Sequence, residues 1–323
     1  MKKNYSLAFL LLLVVFIISL SLGQRMITLP DWLSLISGKA SRSLNLTFWN
    51  FRLPRSLVAL LSGAGLALSG YLLQGVTRNE LADASFLGIN SGAGLFVMLY
   101  LGLFAQGSPF LLPVLAVVGG LISAILVYFI AFASRVNGLS MNKLLLSGIA
   151  VNAGMGALTL LLTIKIAKES YQFVMSWLAG SIWGVTWEHA GILFVWISFL
   201  GVLGWWRQPV LRLLSLGREN ALSLGVAVDR EQTYLLAIAA MLASVSVAFS
   251  GNLAFLGLLA PHIAKALSRN FSYSMTALCG GIIVLLADTL GRMLLTNGEV
   301  PAGILIAIIG APYFLVILLR RNF

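Results

Sequence analysis

Long apolar runs separated by short polar connections fill this chain from end to end. The runs lie near Leu7 to Leu22, Leu53 to Gly75, Phe86 to Phe104, Leu111 to Ala133, Lys143 to Ile164, Ala190 to Trp206, Tyr234 to Gly251, Leu253 to Leu267, Met275 to Leu290 and Gly303 to Leu319. A helix needs about 20 apolar residues to cross about 30 Å of hydrocarbon, so the pattern predicts ten spans and an all-α, polytopic membrane protein. The edges at Phe86, Ala190 and Leu253 are the least sharp, because glycine and short length blur them. Small residues recur inside the runs. Ala59, Gly63 and Ala67 share one helix face at four-residue spacing, which lets a neighbouring helix approach closely.

Composition agrees with a bilayer setting. Of 323 residues, 59% are hydrophobic and 10% charged, and the mean hydropathy is +0.98, too apolar for a water-soluble chain of this length. No separate soluble domain fits, so residues 1–323 are read as a single transmembrane domain. The one cysteine, Cys279, allows neither an intrachain disulfide nor a multi-cysteine metal site. No cofactor is implied. The net charge of +11 does not point to nucleic acid, because the basic residues are scattered through interhelical connections, where they set orientation.

With ten spans, one side receives Lys2, Lys3, Arg78, Arg135, Lys143, Arg207, Arg212, Arg218, Arg230, Lys265, Arg269, Arg320 and Arg321. The other receives Arg25, Lys39, Arg42, Arg52, Arg55, Lys165, Lys168 and Arg292. Thirteen against eight places both termini in the cytoplasm under the positive-inside tendency. Lys2 and Lys3 before an apolar run imitate a secretory signal, but no small-x-small site precedes Gln24, so the run is read as a retained first span.

Four segments are candidates for function. The longest polar connection, Arg207 to Gln232, contains Arg218-Glu-Asn-Ala-Leu-Ser-Leu-Gly225, which reads as a short amphipathic helix burying Ala221 and Leu222 and closed by Gly225. It suits either docking into a groove on a soluble partner or lying on lipid headgroups. Arg52-Leu-Pro-Arg55 sets two guanidiniums at the start of the second span, to pair with carboxylates of an external protein or to snorkel to lipid phosphate. In the fifth span Asn152, Gly156, Thr159 and Thr163 form a polar and small stripe, which either lines a water-accessible path or glues helices together. Asp288 and Arg292, one turn apart, are expected to neutralise each other, and Glu299 to favour the dipole of the last span. His262, without a second histidine or acid cluster, reads as a hydrogen-bonded structural residue and not a metal ligand. The sequence holds no phosphate-binding glycine-lysine loop, nucleophile elbow or metalloprotease helix motif.

An ordered set of blocks resembles the FecCD family of ABC-transporter permeases, which import ferric siderophores, haem and cobalamin. The likeness runs from about Arg52 to Arg320. The blocks are Arg52-Leu-Pro-Arg55; Gln74-Gly-Val-Thr-Arg-Asn-Glu-Leu-Ala-Asp83 with Leu87-Gly-Ile-Asn-Ser-Gly92; Trp177-Leu-Ala-Gly-Ser-Ile-Trp183; Leu216-Gly-Arg-Glu-Asn-Ala221 with Leu224-Gly-Val226; Phe255-Leu-Gly-Leu-Leu-Ala-Pro-His262; and Glu299-Val-Pro-Ala-Gly303 with Gly310-Ala-Pro-Tyr-Phe314.

The resemblance implies a type II ABC importer permease in a bacterial cytoplasmic membrane. Such a permease pairs with a second permease, the same or a paralogue, over two ATP-binding subunits, with a substrate-binding protein docked outside. Arg52, Arg55 and Arg292 would then meet acids of the binding protein. Leu216, Gly217, Arg218, Glu219, Asn220, Ala221, Leu224 and Gly225 would form the coupling helix on the ATPase, and Asn152, Gly156, Thr159 and Thr163 would face the translocation path. Glu80 stands where the family commonly has proline, and Arg218 where an acid is common, so contacts there are expected to differ. The rival class is an ion-coupled secondary transporter, for which Asp288 is the one supporting acid; a membrane enzyme is more distant still.

Overall fold

The computed structural model describes residues 2–104, 110–132, 141–164, 166, 168–268, 272–295 and 298–321. Arg135, Lys165 and Arg269, counted above in the charge distribution, lie outside the described residues, as do the side chains of Lys2, Lys3, Lys168, Arg320 and Arg321. In chain order the helices are α1 (Lys2–Ser21), α2 (Leu29–Ile36), α3 (Arg42–Asn45), a π-helical stretch Leu46–Arg52 that runs into α4 (Leu53–Thr77), a 3-10 turn Ala84–Leu87, α5 (Ile89–Leu103), α6 (Leu111–Phe132), α7 (Met141–Thr163) and α8 (Lys168–Leu178). They continue with α9 (Trp187–Trp206), α10 (Gln208–Ser215), α11 (Arg218–Ser223), α12 (Val228–Ser250), α13 (Leu256–Ser268), α14 (Tyr273–Gly291) and α15 (Ala302–Arg321).

Each of the ten apolar stretches read from the sequence contains a helix. Among the described residues, seven helical stretches are long and apolar enough to cross a membrane, and α5 and α15 supply shorter apolar ones. The 13-residue α13 is about 20 Å long and stays within the bundle against α4 and α14. Leu10, Leu11, Val14 and Ile17 on α1, Val114, Ile122, Ile125 and Phe129 on α6, and Phe194, Val195 and Phe199 on α9 all face outward. In water each would forgo about 1.5–3 kcal/mol of burial, so the solvent for these faces is lipid. Exposed Trp187 at one end of α9 and Trp205 and Trp206 at the other suit the two headgroup layers. The chain is a multi-pass membrane protein.

Two helix groups share one core. α4 packs on α1, α9, α13 and α14, while α5, α6 and α7 pack on one another, and α12 touches α4, α5, α6 and α9, joining the groups. Leu72 of α4, Leu235 and Leu242 of α12 and Leu256 of α13 are fully buried at the junction. The small stripe on α4 acts as the sequence suggests. A Cβ on Gly63 would lie 2.5 Å from the Gly280 carbonyl oxygen of α14, and Ala67 abuts Gly280 from the other side. One turn further along, the backbone of Gly70 rests directly on Gly257 of α13. Side chains at these positions would force the helices apart.

Candidate functional site

Three regions carry the predicted residues. At one end of the bundle, the π-helical stretch delivers Arg52 inward and runs without a break into α4, with Pro54, which has no amide to donate to the preceding turn, at the junction. Arg52 is 6% exposed. Its Nη1 donates to the Leu20 and Ser21 carbonyls at 2.7 and 2.8 Å, and Nη2 donates to the Arg25 carbonyl. It thereby ties the last turn of α1 to the connection that follows it. Arg55 grips Asp288 through Nε and Nη2 at 3.0 and 2.8 Å and reaches Glu299 through Nη1 at 3.0 Å. Arg292 closes the set, with Nε 3.1 Å from Asp288 Oδ2 and Nη2 donating to the Ser19 carbonyl and hydroxyl at 3.1 and 3.0 Å.

The expected Asp288–Arg292 pair therefore exists, but Arg55 shares it. Glu299 pairs with Arg55 through both oxygens. The three arginines named from the sequence do gather at one place, and there they are internally engaged: the side chain of Arg55 is 14% exposed, that of Arg292 6% and that of Asp288 2%, against 28% for Glu299.

The second region is the open side of α7. Asn152 accepts a hydrogen bond from Ser91 Oγ of α5, and the two line a cavity of about 430 Å3 with Ser85, Phe86, Ile149 and Ala153. None of these side chains is charged. Gly156 faces open space, with nothing within 4 Å of where a Cβ would stand. Thr159 and Thr163, both half-buried, turn their hydroxyls back onto the Met155 and Thr159 carbonyls of their own helix at 2.8 and 3.0 Å. Among the described residues no helix covers the exposed positions Ala153, Gly154, Gly156 and Ala157. Nearby, Asn90 Nδ2 donates to Asn252 Oδ1 at 2.6 Å, where the α12–α13 connection, the segment after α8 and the start of α15 meet. Contact there is backbone to backbone through Gly180, Gly251 and Gly303.

The third region, at the opposite end of the bundle from Arg55, is built by α10 and α11. Leu211 and Leu214 bury α10, and Ala221 buries α11 completely. Gly217 (φ 109°) and Gly225 (φ 81°) bound α11 in backbone conformations that favour glycine. The Gly225 amide donates to the Leu222 carbonyl at 2.9 Å and the Val226 amide to the Ala221 carbonyl at 3.0 Å, the paired bonds of a Schellman stop.

One expectation fails here. Leu222 is 50% exposed and not buried, because the helix is only six residues long and Ala221 alone faces the bundle. Leu216, Leu222 and Leu224 instead project outward together. The platform is braced by Arg218 on Asp229, at 2.9 and 2.7 Å, and Arg207 on Glu231, at 3.1 Å. The hydrogen bonds it donates to the Asp229 carboxylate hold Arg218 above its ordinary pKa.

Sequence reasoning singled out Glu80 but not its partner: Lys265 Nζ lies 2.7 Å away, tying the 78–83 loop to α13. It also missed Asp83, which is 7% exposed and accepts a hydrogen bond from Ser85 Oγ at 3.1 Å. Burial pushes its pKa up. His262 Nδ1 bonds the Leu258 carbonyl at 3.0 Å, the structural role expected of it. Among the described residues no group of three His, Cys, Asp or Glu side chains is placed to hold a metal.

The chain is similar along nearly its whole length to known permeases. The chain is 38% identical to the iron(3+)-hydroxamate import system permease protein FhuG of Bacillus subtilis over 98% of this chain and 96% of that protein. It is 33% identical to the vitamin B12 import system permease protein BtuC of Pectobacterium atrosepticum over 99% and 95%. A metal-chelate type ABC transporter solved in an inward-facing conformation superposes with a TM-score of 0.85 at 30% identity, covering 99% of both chains. The model of the FecCD transport family matches residues 11–320, and the chain belongs to that family.

Proposed function

We propose that the protein is the membrane-spanning permease subunit of an ATP-driven importer, carrying a ferric siderophore or a chemically similar metal chelate across a bacterial cytoplasmic membrane. The observation that carries this reading is the α10–α11 platform. Leu216, Leu222 and Leu224 are exposed within and on either side of the short α11, a platform held to the bundle by two ion pairs and a glycine stop, on a chain similar to importer permeases. An apolar patch on a braced helix fits a groove on a soluble ATPase, and this sequence holds no phosphate-binding glycine-lysine loop of its own. Both termini and this platform lie in the cytoplasm, in line with the distribution of basic residues.

The other regions follow from that orientation. The open, uncharged face of α7, with Asn152, Gly156, Thr159 and Thr163, faces the translocation path shared with a second permease. ATP binding moves the platform, and the spans tilt so that the path opens to each side in turn. On the outer side, Arg55 is the arginine that an external binding protein engages. Glu299, the most accessible member of its network, occupies Arg55 until an acid of the partner replaces it. Arg52 and Arg292 hold the surrounding helix ends in place.

The test is uptake by reconstituted vesicles carrying Arg218→Ala, Glu219→Ala and Asn220→Ala together. ATP-linked uptake is expected to fall to background while the permease remains folded; undiminished uptake would refute the coupling role. Uptake that survives without ATP and collapses with an ion gradient would instead favour a secondary transporter.

A further inference from the structure

A helix that the hydropathy pattern does not announce sits at the Arg55 end. No residue of α2 is buried in the bundle. Its two apolar faces differ. Trp32 and Leu35 turn inward onto a small cluster of Leu20, Ile27, Leu44 and Phe48, and Trp32 Nε1 donates to Ser21 Oγ at 3.0 Å. Leu29, Leu33 and Ile36, spaced i, i+4, i+7, form the opposite stripe and are 77%, 62% and 80% exposed.

Three observations say what covers this stripe. Ser21 ends α1, a 20-residue helix about 30 Å long, so the Trp32 bond fixes α2 at the height where hydrocarbon gives way to headgroups. The exposed apolar side of α1, through Val14, Ile17 and Ile18, ends where α2 begins. Residues 22–51 hold exposed Arg25, Lys39 and Arg42 on either side of the helix, and their one acid, Asp31, is bound to the Thr28 hydroxyl and amide at 2.8 and 2.9 Å.

We infer that α2 is an interfacial anchor, inserting Leu29, Leu33 and Ile36 into the lipid surface while Arg25, Lys39 and Arg42 meet anionic headgroups. It holds the connection leading into Arg52 and Arg55 against the membrane. A soluble partner face at this height would have to displace lipid from three leucine-sized side chains. This inference does not rest on the proposed function, since lipid burial of α2 is independent of cargo and of which side is outer.

The experiment places a nitroxide at Leu33→Cys in a Cys279→Ser background, in vesicles containing phosphatidylglycerol, with Lys39→Cys as the reference site. Oxygen should collide with the label at 33 several-fold more often than a water-soluble nickel chelate does, and the ratio should invert at 39. Ile36→Cys repeats the measurement should the first variant perturb the helix. Preferential collision with the nickel chelate at 33 and 36 would overturn the anchor. Nickel access that disappears only when the binding protein is added would also overturn it, and would assign the stripe to that protein.

Discussion

Arg55 shows how a single residue joins elements that the sequence keeps far apart. Asp288 and Arg292 are one helical turn apart, so their pairing is legible from spacing alone. Arg55 is 233 residues from Asp288 and 244 from Glu299, and no local rule predicts that it completes the set. Burial separates the two acids. With both partners nearly enclosed, removing the Asp288 charge leaves the Arg292 guanidinium without a carboxylate and Arg55 with Glu299 alone, which costs about 3 kcal/mol or more. Asp288→Asn is therefore expected to lower the detergent unfolding temperature sharply and to impair insertion. Glu299 is 28% exposed and shares its cation, so Glu299→Gln should cost about 1 kcal/mol or less. The same substitution leaves Arg55 Nη1 without a carboxylate while Asp288 keeps Nε and Nη2. If Arg55 is the docking residue, Glu299→Gln tightens capture of the loaded binding protein, measured by surface-bound vesicles, even as stability falls. Unchanged or weaker capture would remove Arg55 from the docking surface and leave it a purely internal clamp.

At the scale of elements, hydropathy located every long helix, because length and apolarity are properties a bilayer demands of the sequence itself. It passed over α2, α3 and the π-helical stretch, whose eight, four and seven residues are too short to register as spans and which depend on packing against the end of α1. It found α11 from Gly225 and the alternation around it, yet misassigned Leu222, since which face of a six-residue helix meets the bundle depends on α10 and α12. The Schellman stop makes a specific demand on Gly225. At φ 81° a β-carbon costs about 1–2 kcal/mol, enough to fray the last turn and release Leu222 and Leu224 from their shared orientation. Gly225→Ala should leave the transmembrane bundle intact by thermal unfolding while lowering ATP-linked uptake several-fold. Wild-type uptake would mean that the ordered end of α11 is not needed for coupling.

The whole molecule has two kinds of outward surface, and the distinction separates lipid from something else. Around α1, α6 and α9 the exposed residues are large and apolar. Along α7 exposed Leu146, Ile149, Leu158, Leu160 and Leu161 are large as well, but they flank a short exposed run of small residues, Ala153, Gly154, Gly156 and Ala157, beside which Asn152 opens into the cavity, and among the described residues no helix covers that run. A lipid-facing helix gains from Leu, Ile and Phe; a surface of alanine and glycine with an amide offers lipid little and suits either a water-filled path or close approach of another helix. The stripe was readable from four-residue spacing, but whether it was buried glue or an open wall was not, because that depends on α7 lying at the edge of the α5–α7 group. Cysteine scanning decides it in the assembled importer. Ala153→Cys should react with a membrane-impermeant maleimide and change its reactivity when ATP is supplied, whereas Ile122→Cys on the lipid face of α6 should stay inert, with buried Cys279 as a silent background. Equal inertness at 153 in every nucleotide state would make the α7 face a dry contact between subunits, and the route of the chelate would have to be sought on another side of the bundle.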